Sequence, residues 1–284
     1  MKDIAYYNGK IGRIDEVQAP ITDRGLYFGD GVYDAAMVRN KKIFALDDHL
    51  DRFYNSLSLL RIEPPMERSE LAATLNDLVS RLDSDAPHML YWQSTRAAAH
   101  RKHAFPAGAK ATLMAFAEAC PLDRHDHPYK LITVEDTRFL HCNIKTLNLI
   151  PNCMAMQQAV EAGCDEVVFH RGDRVTECAH SNVHILKDGA LKTAPCDNLI
   201  LPGITRAHRI AQCREMGIPV IEEPFTVQEM MEADEIFFTS ASALCCRIEE
   251  IDGQKVGGRD PERIARIQKA AWNEALEEVR QIKG

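Results

Sequence analysis

The order of strand-like and helix-like runs constrains this chain most. Strand-like runs come in clusters, with helical stripes set apart, rather than in strict alternation. Alternation would demand one doubly wound parallel sheet, whereas clustering predicts two α+β domains. The first cluster opens with "IAYYNGKIGRI", a hairpin turning at Asn8-Gly9, and continues in "GVYDAAMVRNKKIFAL" (31–46), two strands around a polar turn. Apolar residues at 50, 53, 57 and 60 predict a helix over 47–62, with Asp47 as N-cap and Pro64-Pro65 as its stop. A second helix covers 69–82, and strands cover 88–99 and 110–119. "CPLDRHDHPYK" (120–130), with two prolines and alternating charge, is the clearest linker. The expected division is a smaller N-terminal domain over 1–120, a linker over 121–129 and a larger C-terminal domain over 130–284.

Beyond the linker, "KLITVEDTRF" alternates as a strand should, and 150–163 is a helix closed by Gly163. "DEVVFH", "RVTECAHSNVHIL" and "ALKTAP" form a run of strands. A helix over 203–217 then ends at Gly217, and "TVQEMMEADE" opens on a capping box of Thr226 and Glu229. "EIFFTSAS" is a strand, "CRIEEIDGQKV" a hairpin, and the chain closes on a helix from Pro261.

Composition narrows the function classes. A net charge of −8 without a long basic run disfavours nucleic-acid binding. No apolar run is long enough to span a bilayer, and "MKDIAYYNGK" lacks a signal-peptide core, so a cytoplasmic location is expected. Nine cysteines without a CxxC pair suit reduced thiols. "HRKH" (100–103) and "HDH" (125–127) lack convincing metal-ligand spacing, and no metal is expected.

Five places carry chemistry. Lys145, in "HCNIKTLNLIPN" (141–152), lies between strand-like neighbours with no acid in the segment. Buried, it would lower its pKa and become a nucleophilic amine; exposed, it is a loop lysine whose stem covers apolar surface. "LPGITR" (201–206) opens a helix whose unsatisfied N–H groups suit a phosphate, or is an ordinary capped start. "TSAS" (239–242) either completes a phosphate cup or forms a surface turn. Arg52 could fork onto phosphate oxygens or face solvent. Glu177, in a strand of mainly neutral residues, needs a partner such as a pyridinium N–H unless it faces water. Together they make the inventory that pyridoxal phosphate requires.

The ordered motifs "DRGLYFGDGVYD … HLDRFYNS … NIKTLNLIPNCMAMQQA … VTECAHSNVHIL … LPGITR … TSAS" resemble the fold-type-IV (class IV) pyridoxal-phosphate aminotransferases over nearly the whole chain. The resemblance implies an α+β enzyme of two domains. The small N-terminal domain is α/β, and the larger C-terminal domain has an antiparallel-rich, barrel-like sheet. It implies that Lys145 is the Schiff-base lysine and Glu177 the pyridine-nitrogen carboxylate. Leu201 packs on the ring, and Arg52, Gly203, Ile204, Thr205, Ser240 and Ala241 hold the phosphate side of the cofactor.

Within that family, "TRAAAHRKHAFP" (95–106) is most similar to D-amino-acid aminotransferases of the D-alanine type. The resemblance implies that Arg101, His103 and Tyr33, with Ser181, bind substrate. Arg101 and His103 would reach the substrate carboxylate from the partner of a homodimer. Arginine offers paired donors to a carboxylate, which suits that task. The implied reaction is ping-pong transfer between a D-amino acid such as D-alanine and a 2-oxo acid such as 2-oxoglutarate. The alternatives are a branched-chain L-aminotransferase, an (R)-amine transaminase and aminodeoxychorismate lyase. Asp34 stands where a glutamate is usual, and Ala179 and His180 where small hydroxyl residues are frequent.

Overall fold

A computed structural model describes residues 1–121 and 127–279. The linker expected over 121–129 and the "HDH" cluster lie largely outside the described residues. The chain forms two compact units. The first holds Met1–Pro121, Ile144–Asn148 and the described residues from Ala275 onward. The second holds the described residues up to Asn143 and Leu149–Glu274.

The first unit contains β1 (Ile4–Tyr7), β2 (Lys10–Gly12), α1 (Arg24–Phe28), β3 (Gly31–Arg39), β4 (Lys42–Ile43), α2 (Leu46–Leu59), α3 (Arg68–Ser80), β5 (His88–Thr95) and β6 (Thr112–Ala119). Its six strands form an antiparallel sheet in the order β2-β1-β6-β5-β3-β4. The expected hairpin is present, with Asn8 (φ 45°) and Gly9 (φ 90°) both left-handed at its turn, as a two-residue hairpin of this kind requires. Alternation sorts the two faces of the sheet. Val32, Ala36, Leu90 and Trp92 pack inward with Phe53, Leu57, Leu71 and Leu75 from the two helices. Tyr33, Tyr91 and Phe116 form a stack, with centroids 5.4 and 5.0 Å apart.

Three local expectations change. Asp47 does not cap α2: only Phe44 and Ala45 separate β4 from the helix, so the cap falls on Ala45, which is left-handed (φ 49°). The Ala45 N–H donates to Glu278 Oε1 (2.6 Å), leaving Asp47 and Asp48 in the first turn, where the helix dipole favours them. The neighbours of Lys145 are not strands. They run irregularly along the edge of β3 that β4, paired only at Val38 and Arg39, leaves open. There Tyr33 N–H donates to Lys145 O (2.9 Å) and Leu147 N–H to Gly31 O (3.2 Å). The short helix α1 has no signal in the periodicity.

The second unit contains β7 (Tyr129–Glu135), α4 (Ile150–Glu161), β8 (Glu166–Arg171), β9 (Arg174–Cys178), β10 (Asn182–Lys187), β11 (Ala190–Thr193), α5 (Ile204–Glu215), β12 (Val220–Glu222), α6 (Val227–Met231), β13 (Glu235–Thr239), β14 (Cys246–Ile251) and β15 (Gln254–Lys255). α7 (Pro261–Glu278) comes last, its final turn belonging to the first unit. The sheet runs β12-β11-β10-β13-β14-β7-β8-β9, with β15 on β14. It is mixed: β7 is parallel to β8 and β14, and β11 to β12, while the remaining pairs are antiparallel. "RVTECAHSNVHIL" is two strands, β9 and β10, broken at Ala179–Ser181. Those three residues join the end strand to a central one, so the sheet curls back on itself. The Thr226–Glu229 capping box forms as expected.

Phe53 is fully buried in the first core. Phe53→Ala should lower the unfolding free energy by about 3–5 kcal/mol, measured by urea titration of the first unit's signal, with Phe53→Leu recovering most of it.

Candidate active site

Lys145 is half-buried, with its Nζ 4.2 Å from the centroid of the Tyr33 ring. The amine nitrogen thus lies over the negative face of the ring. Arg52 does not face solvent: its side chain is 9% exposed and grips Asp34 on β3 at two points, Nε–Oδ2 2.9 Å and Nη2–Oδ1 2.6 Å. His49 Nδ1 meets the same carboxylate at 2.8 Å. Burial alone would push Asp34 up; the Arg52 guanidinium and His49 reverse this and hold it well below the usual carboxylate range. Burial pulls His49 down, against the opposing pull of Asp34. An aspartate that replaces the usual glutamate thus remains a two-pronged anchor for Arg52.

Arg101 and His103 are exposed. Both lie on Phe28 of α1, the Arg101 guanidinium 5.1 Å and the His103 ring 5.0 Å from its centroid. Arg24, paired with Asp30 (2.7 Å), supports the loop from beneath by donating to Lys102 O (2.6 Å). No hydrogen bond or ring contact links Arg101 or His103 to Tyr33 or Lys145 among the described residues.

In the second unit Glu177 is buried on β9, not facing water. Arg138 Nη1 donates to its Oε1, and Asn182 Nδ2 and Leu201 N–H to its Oε2 (3.0 Å each). Arg138 is held in turn by both oxygens of Asp136 (2.9 Å each). A buried carboxylate stays charged only with such company. Nothing in the sequence singles out Arg138 and Asn182: Arg138 lies 39 positions from Glu177, and no spacing rule pairs them.

Asn182 also donates to Leu201 O (3.0 Å), tying Glu177 to the loop that enters α5. Gly203 is the N-cap of α5, without a side-chain cap bond. A Cβ there would fall 2.0 Å from Asn182 Oδ1, so only glycine lets the loop approach this closely. Thr205 Oγ donates to Ser240 O (2.8 Å), drawing the 240–243 turn to the helix start. Within that turn Ser240 Oγ accepts from Ala243 N–H (3.1 Å), and Ala241 is half-buried. Ile204, Thr205, Ser240 and Ala241 are therefore brought together, with Leu201 and Glu177 joined through Asn182. Ser181 is buried, its hydroxyl donating to Glu166 Oε2 (3.1 Å).

Among the described residues, no group of three or more His, Cys, Asp or Glu side chains is placed to hold a metal ion, and no helix is long and apolar enough to cross a membrane.

The profile of the family Amino-transferase class IV matches residues 31–251. The chain belongs to that family. It is 38% identical over 261 residues to a D-alanine aminotransferase of Listeria monocytogenes, covering 89% of this chain and 90% of that one. A D-alanine aminotransferase of Bacillus licheniformis is 36% identical over 276 residues, covering 96% and 97%. Among solved structures, a branched-chain aminotransferase from Escherichia coli superposes with a TM-score of 0.88 at 21% identity, covering 100% of this chain and 98% of that one. One from Thermoproteus uzoniensis gives 0.87 at 23%, covering 99% and 96%. The fold is fold type IV, and the cofactor of this class is pyridoxal phosphate. The second unit's donors fit that group: a buried carboxylate paired with an arginine suits a pyridinium N–H, and a helix start without a side-chain cap, beside a glycine that no Cβ can replace, suits a phosphate.

Two variants probe these networks. Gly203→Ala, which forces Asn182 aside, should weaken pyridoxal-phosphate retention at least about tenfold in equilibrium dialysis, while the fold persists by circular dichroism. Asp34 titrates lower when folded than its unfolded value near 3.9, so its stabilisation is complete above about pH 4 and fades as pH falls further. Asp34→Asn should cost about 3 kcal/mol at neutral pH, and its deficit should shrink in acid, as monitored by denaturant titrations across pH.

Proposed function

We propose that this enzyme is a D-amino-acid aminotransferase that exchanges the amino group between a D-amino acid such as D-alanine and a 2-oxo acid such as 2-oxoglutarate, in a ping-pong sequence of two half-reactions. The observation that carries this reading is the 36–38% identity, over about nine-tenths of the chain, to proteins named D-alanine aminotransferase. The branched-chain neighbours, at 20–24% identity, speak for the fold alone.

Pyridoxal phosphate, when bound, supplies an electrophilic carbonyl and an electron-withdrawing ring that stabilises negative charge at the substrate Cα. Lys145 supplies the amine that holds it. Once released by the incoming substrate amine, Lys145 Nζ takes the proton from Cα and later returns one, as general base and then general acid. Its partly exposed position over Tyr33 suits an amine that must move between these tasks. Glu177 holds a proton on the ring nitrogen through its own negative charge, which Arg138 maintains. Leu201 packs on the ring. The N–H groups at the start of α5, with Gly203, Ile204, Thr205, Ser240, Ala241 and Arg52, bind phosphate, the helix dipole adding to the attraction.

Tyr33, Arg101 and His103 bind the substrate α-carboxylate, and Ser181 acts indirectly by fixing its turn on Glu166. We infer a cytoplasmic homodimer in which Arg101 and His103 serve the partner's substrate. Their exposure, and the lack among the described residues of a hydrogen bond or ring contact between them and Lys145, support this assignment.

The test is the visible absorption band of the holoenzyme. D-alanine should bleach it, L-leucine should leave it, and Lys145→Ala should lose both the band and transamination. Bleaching by L-leucine alone would replace the D-selective reading with the branched-chain one.

A further inference from the structure

Helix α5 begins at the site, but the face it buries carries charge that the site does not use. Arg206 and Arg209 lie three positions apart, so their side chains leave the same face of the helix. Both are buried, at 4% and 0% exposure. His184 of β10 is fully buried and stacks on Phe237 of β13, with ring centroids 4.7 Å apart. Alternation puts His184 on the sheet face opposite to Val183 and Ile185 of the second unit's core. Arg206 reaches the same neighbourhood. Its Nη2 donates to Ala194 O (2.9 Å), and Thr193, the residue before, pairs with His184 across β10 and β11. Burial and the two nearby guanidiniums, Arg206 and Arg209, hold His184 well below the ordinary imidazole value, so the ring is neutral.

Each of these groups is satisfied on one side only. Arg206 Nη2 also meets Glu222 Oε2 (3.0 Å), Arg209 Nη2 meets Glu274 of α7, and His184 Nε2 meets Thr239 Oγ1 (2.9 Å). Among the described residues, Arg206 Nε, Arg209 Nε and Nη1, and His184 Nδ1 are buried with no hydrogen-bond partner. Gln212 Oε1 on the same helix is likewise unpartnered, but its amide nitrogen is held on Glu274 (3.0 Å) and its oxygen bonds neither guanidinium. The acids do not balance the cations. Glu222 also serves Arg214 (2.9 Å), and Glu274 also serves His208 (2.8 Å), so three guanidiniums share two carboxylates. The thiols beside Arg209 do not supply the missing charge: burial pushes Cys213 up to about 11 and Cys245 well above its ordinary value, so both stay protonated. Buried guanidinium N–H groups without acceptors are costly. A water would accept from two of them and bring no charge. A small anion accepts from several directions and supplies the charge as well.

We propose that the buried face of α5 is a binding site for a halide ion, chloride in use, received by Arg206 Nε, Arg209 Nε and Nη1, and the Nδ1 edge of His184. The ion ties the helix to β10 from within the second unit. Its donors are side chains on the flank of α5, not the N–H groups at the helix start, so the site is distinct from the phosphate loop. Nothing in it depends on which amino acid the enzyme takes.

The probe is the halide itself, applied to the holoenzyme. Chloride replaces gluconate stepwise at constant ionic strength, which keeps general screening fixed. The unfolding equilibrium constant in urea should fall about tenfold or more between zero and about 100 mM chloride, as linkage to one site in the folded state requires. Arg209→Lys keeps a cation for Glu274 but removes Nε and Nη1, and should erase the chloride dependence; Arg206→Lys, which removes the other Nε, should weaken it. Crystals of the wild-type holoenzyme grown in bromide decide the matter without any variant. An anomalous peak in contact with Arg206 Nε, Arg209 and His184 Nδ1 is the expected result. An ordered water only at that place, with no bromide signal, overturns the site. So does an unfolding constant indifferent to chloride in the wild type, or a chloride dependence that Arg209→Lys leaves unchanged.

Discussion

A single buried charge organises the second unit. Glu177 carries its carboxylate in the interior, and removing such a group from water is tolerable only with a cation and a full set of donors. Three separate pieces of chain supply them: the segment after β7 through Arg138, the start of β10 through Asn182, and the loop before α5 through the Leu201 N–H. These pieces are far apart in sequence, and the carboxylate fixes them relative to one another. Asn182 extends the constraint, because the amide that serves Glu177 also restrains Leu201 and stands against Gly203. The start of α5 is thus positioned by that same charge, and an arginine tied to Asp136 holds the charge in place.

The first unit solves a related problem differently. Asp34 faces inward on β3, in line with Val32 and Ala36, where an apolar side chain would be expected. Its charge is compensated by Arg52, reaching from α2, and by His49 one turn earlier. The arginine is immobilised by a partner on the sheet rather than left to sample rotamers. The aspartate holds the guanidinium at two points.

Much of this is legible in the sequence, and the exceptions have physical reasons. Helix stripes, the Asn8-Gly9 hairpin, the Thr226–Glu229 box and the glycine ends of α4 and α5 are local signals, and local signals survive folding. Lys145, Glu177 and the "LPGITR" and "TSAS" segments stand out because each is odd in its own neighbourhood. What is not legible is long-range. Arg138 has an acid two positions away, so it looks satisfied before Glu177 is considered. Asp47 looks like a cap, because nothing local announces that Glu278, more than two hundred positions later, receives the Ala45 N–H. Lys145 reads as strand-flanked because its neighbours are apolar, whereas they serve as an irregular edge to β3.

The departures from family habit fall into two kinds, and burial separates them. Asp34 is buried and compensated at once, so its change alters lengths but keeps the charges and their pairing. His180 stands at the tip of a turn whose base carries Glu177 and Asn182 and whose underside is held by Glu166. A tip residue can change without disturbing the network below it, since Val167 and Ala179 N–H and Ser181 Oγ satisfy Glu166 independently of which side chain occupies position 180.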